Sequence, residues 1–122
     1  MNYDKLCMDI FAIDSSIRFA SVYNESGEVI SGGMRKDKES LLNPEEAKMS
    51  IYYSKHMFEK HTNLSHRVGK ERYSMTEYQK VKMISIPLQD GNLLLISIET
   101  NADHFKMVER MLQVVENYSK EN

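Results

Sequence analysis

Residues Lys80–Thr100, KVKMISIPLQDGNLLLISIET, constrain this chain more than any other stretch. Two apolar runs, Val81–Leu88 and Leu93–Ile98, flank Gln89-Asp90-Gly91-Asn92. Asp-Gly between β-favouring runs is a strong hairpin signal, because Gly takes a positive φ without steric cost. Leu93-Leu94-Leu95-Ile96 scarcely alternates, so the second run reads as a central strand covered on both faces. Neither run reaches the about 18 apolar residues that a spanning helix needs.

Other elements follow from period and punctuation. Tyr3, Leu6, Cys7, Ile10 and Phe11 recur at helical spacing and predict a helix to about Ile13, with Asn2 or Asp4 to cap it. Ile17–Tyr23 reads as a strand with Ile17, Phe19, Ser21 and Tyr23 on one face. The turn Asn24–Gly27 returns it through Glu28–Met34, where Gly32-Gly33 marks a bulge or a close backbone approach, the bulge being commoner. Asn43-Pro44-Glu45-Glu46 is a helix start, and that helix runs to about His61. Its face Ala47, Ile51, Ser54 and Phe58 suits a sheet. Met49, Tyr52, Tyr53, His56 and Met57 widen the apolar surface beyond that need and call for a second neighbour. His66–Glu77 reads as a charged edge strand, Asn101-Ala102-Asp103 as the start of a helix to about Tyr118, and Ser119–Asn122 as a frayed tail. The expectation is one α+β domain over residues 1–122, ordered α-β-β-α-β-β-β-α, with a five-stranded antiparallel sheet flanked by helices.

The chain has 122 residues and a net charge of −2, a balance that gives no reason to expect nucleic acid or an acidic membrane as partner. One cysteine, Cys7, excludes an internal disulfide and fits a reducing cytosol. The N-terminus lacks the basic start of a secretory signal. Nine methionines and no tryptophan indicate an adaptable core.

A search for chemistry returns little. His56, His61, His66 and His104 invite a metal, but the five-residue gaps turn His56 and His61 to different sides of a helix, and no metal or other cofactor is expected. Cys7 sits among Leu6, Ile10 and Phe11 as a small hydrophobe, and neither a nucleophile elbow nor a phosphate-binding glycine motif is present, so no enzymatic activity is expected. Arg67, Lys70, Arg72, Lys80 and Lys82 with Tyr73 and Tyr78 sketch a basic-aromatic face, diluted by Glu71 and Glu77 and better read as a solvated edge. A ligand pocket beside Gly32-Gly33, lined by methionines and Tyr23, Tyr52, Tyr53 and Tyr73, is the alternative function, that of a small-molecule sensor.

The element order resembles the roadblock/dynein light chain superfamily, a relative of longin and profilin-like folds. The sequence also resembles a family of small proteins from ammonia-oxidising archaea (Thaumarchaeota) that has no assigned activity. The matching pieces are Ile17–Tyr23 with Gly27 and Gly32-Gly33, Glu77–Lys82, and Ile86-Pro87-Leu88 with Leu93-Leu94-Leu95. The roadblock resemblance implies that the first and last helices share one sheet face while the middle helix takes the other. It also implies a cytoplasmic homodimer acting as adaptor or regulator, often for small GTPases. Carried onto this chain, the dimer surface would be Met49, Tyr52, Tyr53, His56 and Met57 with Val68, Tyr73 and Met75 of the edge strand.

Overall fold

A computed structural model describes residues 2–120. Its elements are α1 (Tyr3–Phe11), β1 (Ile17–Tyr23), β2 (Val29–Met34), α2 (Pro44–His61), a 3-10 turn (Thr62–Leu64), α3 (Ser65–Val68), β3 (Ser74–Glu77), β4 (Lys82–Pro87), β5 (Leu93–Ile98) and α4 (His104–Lys120). One antiparallel sheet runs in the order β2-β1-β5-β4-β3, so the uninterrupted β5 run is central, as its lack of alternation requires. The Asp-Gly hairpin forms where expected, closed by the Leu88 amide on the Asn92 carbonyl at 2.9 Å. That bond turns the nitrogen of Pro87 away from β5, towards the side where β3 has already ended, so its missing N–H costs no ladder bond.

Two layers of unequal depth cover the sheet. On one face Leu6 and Ile10 of α1 and Met107, Val108 and Met111 of α4 bury against Ala20, Val22, Ile84, Ile86, Leu94, Ile96 and Ile98. On the other, Ile51 of α2 meets Tyr23, Leu93 and Leu95, with Phe19 beside them. The helices thus divide between the faces as the family resemblance implied.

Several local expectations are corrected. A register shift between Ile17 and Phe19 places Arg18 as an extra residue, so Ile17 packs with Ala20 and Val22 and not with Phe19, Ser21 and Tyr23. The shift in the β1–β2 pair lies between Val22 and Tyr23, opposite Val29–Ser31, and so precedes Gly32-Gly33. Gly32 instead marks a close approach: a Cβ there would lie 2.1 Å from the Ala20 carbonyl oxygen. His66–Val68 is not strand but helical turn, ended by Gly69 at φ +89, and β3 begins only at Ser74. α4 continues through Ser119 and Lys120, while residues 121 and 122 of the expected tail lie outside the described residues.

The Arg18 bulge is held by charge. Arg18 donates to Glu99 Oε1 at 3.2 Å and to the Glu39 carbonyl at 2.8 Å, and Lys38 Nζ lies 3.3 Å from the same Glu99 oxygen. Burial works to raise the Glu99 pKa, but hydrogen bonds from Lys38 and Arg18 and the charges behind them outweigh it, holding the carboxyl below its ordinary 4.5. A carboxylate with a lowered folded value adds stability above its unfolded pKa and loses it as pH falls through the folded one. Asp14, lowered chiefly by the backbone and side-chain hydrogen bonds from Ser16, acts with the same sign. Urea titrations at stepped pH should show stability falling below pH 4.5, and Glu99→Gln should flatten that fall while weakening the protein at neutral pH.

Arg35 closes the other end of the bulge. Its guanidinium donates to the carbonyls of Ile17 (2.7 Å), Phe11 (2.8 Å) and Asp14 (2.9 Å) and lies 5.0 Å from the Phe11 ring centroid. One side chain therefore satisfies carbonyls from the end of α1, the α1–β1 turn and β1. Arg35→Ala should cost about 2–4 kcal/mol in urea unfolding, and Arg35→Lys should not restore it, because an ammonium cannot span the three acceptors.

Candidate functional site

α2 is specified locally before anything packs on it. Asn43 accepts from the Glu46 amide at 2.8 Å, and Glu46 Oε1 accepts from the Asn43 amide at 3.0 Å, a reciprocal cap with Pro44 at the first helical position. Acids at the start and Lys60 and His61 at the end suit the helix dipole. Yet the sheet takes little of this helix. Among its described residues only Ile51 is buried, with Ala47, Ser54 and Phe58 half-buried.

The side away from Ile51 carries a second apolar stripe. Met49, Tyr52, Tyr53 and His56 follow the i, i+3, i+4, i+7 spacing of a helix–helix seam, and Met57 flanks them. All are exposed, Tyr52 by 62%, Tyr53 by 55% and Met57 by 51%. The rings organise one another: Tyr52 stacks on His56 with centroids 5.9 Å apart and 6° between planes, and meets Tyr53 edge-on at 6.0 Å. The seam is centred at Tyr52–Tyr53, the midpoint of α2.

Five of the eight sequence-derived interface residues are therefore brought together, and three are not. Val68 stands on α3, 79% exposed. Tyr73 precedes β3 and is exposed. Met75 lies within β3 opposite Ile84 and packs against the α1/α4 layer, the face away from α2. The alternation of β3 against β4 decides this, and it is invisible until the register is known.

The remaining candidates are accounted for by structure. Cys7 is buried beneath α1, and burial above all pushes its thiol up to about 11, against a Ser31 hydrogen bond that lowers it, so it holds little nucleophilic thiolate. Ser31 in turn donates to Asp4, and Ser21 Oγ donates to the Ser31 carbonyl at 2.6 Å. His61 meets Glu71, and His104 Nδ1 lies 3.0 Å from Lys82 Nζ. No group of three His, Cys, Asp or Glu side chains placed to hold a metal occurs among the described residues. A cavity of about 350 Å³ lies between α1 and α4 beside Asp9, Ile13 and Arg110, and another of about 630 Å³ beside Phe11, Met34 and Arg35–Lys38. Neither is lined by Gly32, Gly33 or the tyrosines expected around a sensor pocket.

Lys82, read from the sequence as part of a solvated edge, is corrected by the structure. It shares a face with Ile84 and Ile86, is buried, and donates to the Ala102 carbonyl at 2.9 Å, with Glu77 3.7 Å away. The signal was present, since Lys82, Ile84 and Ile86 alternate in phase. The buried ammonium ties β4 to the segment leading into α4.

The fold recurs in known structures. A roadblock/LC7 domain from Streptomyces avermitilis matches with a TM-score of 0.70 at 16% identity, over 97% of this chain and 95% of that one. MglB from Myxococcus xanthus matches with a TM-score of 0.65 at 9% identity, over 98% and 95%. An MglB structure with tetrameric arrangement matches at 0.63 and 10%, over 93% and 87%. At such identities the likeness is one of fold. No curated protein matches the chain in sequence. A family of unknown function, DUF6659, matches throughout residues 1–122, and the chain belongs to that family, on a roadblock/LC7 fold.

Proposed function

We propose that this chain is a cytosolic, non-enzymatic adaptor or regulatory module that works as a homodimer, its α2 helices paired across a two-fold axis near Tyr52–Tyr53. The observation that carries this is the second apolar stripe of α2. A helix in a monomer needs one apolar face, and this one exposes Met49, Tyr52, Tyr53 and His56 opposite the residue it buries. A two-fold contact is self-complementary, and a seam centred on the helix midpoint presents the same residues to its mate. Aromatic and Met side chains are those that interface centres favour. The exposed start of β3 with Tyr73 would border the seam, and Met75 would add the strand edge through its backbone alone.

The tetrameric MglB arrangement lends support at the level of fold, since that protein self-associates. The roadblock resemblance makes a small GTPase-type protein the first partner class to try, and the archaeal resemblance points to the same source for this chain. Native mass spectrometry of gently purified protein tests the reading. A bare dimer is the expected species, whereas a monomer retaining a small-molecule adduct would replace the adaptor with a sensor.

A further inference from the structure

Between the last turn of α2 and β3 the chain closes a loop on itself. His61 Nδ1 meets Glu71 Oε1, and Ser74 Oγ donates to that same oxygen at 2.9 Å, tying residues ten apart in sequence. The turn Thr62–Leu64 and α3 between them bury no residue, so the loop stands out from the body of the domain. Segment Lys60–Arg72 carries Lys60, Arg67, Lys70 and Arg72, all exposed, along with exposed His66. Its single acid, Glu71, is the one turned inward onto His61 and Ser74; Glu59 is the exposed acid just before it. A net charge of −2 for the whole chain conceals this local excess of cations. At the tip Leu64 and Val68, one helical turn apart, are 58% and 79% exposed.

We propose that this loop is a docking site for an anionic lipid surface, with Leu64 and Val68 dipping into the headgroup layer and Lys60, Arg67, Lys70 and Arg72 facing the charged headgroups. The charge and shape of the loop favour that occupant. Clustered cations flanking apolar tips match a negatively charged interface, which such residues enter from above. An acidic peptide is held by a groove or an open strand edge, and a protruding loop without buried residues offers neither. Single-stranded nucleic acid is held by a series of aromatic rings on which bases stack, and between Phe58 and Tyr73 there is no Phe, Tyr or Trp, only the imidazoles of His61 and His66. Four cations give adhesion that is weak, reversible and screened by salt. The assignment does not depend on the dimer.

Co-sedimentation with vesicles tests it, comparing pure phosphatidylcholine with a mixture containing roughly 30% phosphatidylserine. The wild-type protein should bind the anionic vesicles alone and release as salt rises. Each Lys or Arg near such a surface is worth about fivefold in partitioning, so the Arg67→Glu, Lys70→Glu double variant should lose well over tenfold. Leu64→Asp should reduce binding with all four cations intact. Because these side chains are exposed, thermal melts should show every variant folded. Equal binding to both vesicles, binding to neither, or undiminished binding by the double variant would overturn the proposal. So would retention on a glutamate-rich peptide or an oligonucleotide without any vesicle binding.

Discussion

Gly32→Ala should lower the unfolding free energy by about 3–5 kcal/mol, the largest stability loss expected from removing or adding a single methyl here. Two costs combine. Gly32 has φ +89, where an L side chain is strained, and its Cβ would meet the Ala20 carbonyl oxygen at 2.1 Å and Ser21 Cα at 2.7 Å. Both are backbone atoms of β1 and cannot swing aside as a flexible side chain would, so the β1–β2 pair itself must open. Gly69 supplies the control, for it has the same φ of +89 and open space around it. Gly69→Ala should therefore show the backbone strain alone, about 1–3 kcal/mol, since its ψ of 174 puts it in a region that glycine almost alone adopts. Paired urea melts separate the two terms. Equal losses at the two positions would show that the close approach to β1 carries no weight.

Tyr53→Glu should turn the proposed dimer into a monomer without unfolding it. In the monomer Tyr53 is exposed and touches chiefly Tyr52, so a carboxylate there finds water. In the paired state it would lie near the axis, close to its own copy, where two like charges lose solvent together. Removing an interface-centre aromatic costs about 2–4 kcal/mol, a weakening of roughly 30- to 1000-fold in Kd, before that repulsion is added. Sedimentation velocity across a concentration series reads the effect, and circular dichroism should show an unchanged melt at concentrations where the wild type is also monomeric. Association at wild-type strength would remove the α2 stripe from the interface.

Much of the fold was legible in the sequence because its strongest signals are local. The Asp90-Gly91 turn, the unbroken Leu93–Ile96 run and the Asn43-Pro44 cap each act within a few residues, and each element they mark lies where they place it. Misread elements depended on partners distant in the chain. Arg18 becomes a bulge because of the register against β5 and the pull of Glu99 and Glu39, none of which is encoded near position 18. His66–Val68 has the composition of an edge strand, yet it continues the helical turn of Thr62–Leu64 until Gly69 ends it. Of the candidate surface, the α2 stripe was readable from helical spacing alone. Met75 was not, since its side depends on the pairing with Ile84. Lys82 shows the opposite failure: the alternation was plain, but its charge assigned it to a solvated edge, and only the Ala102 carbonyl explains why it is buried on the core face.

In the proposed dimer α2, and no other face, joins the two copies. Cys7 is buried, so an introduced thiol can be the sole reactive one. Met49→Cys places it in the seam, and Met8→Cys places it on α1, also exposed but on the opposite layer. Paired helices pack with axes about 8–10 Å apart, within reach of a flexible bismaleimide from Met49→Cys across a two-fold axis at the helix midpoint. Met49→Cys should give a covalent dimer and Met8→Cys none at the same concentration. Cross-linking from Met8→Cys alone, or from neither variant, would contradict it.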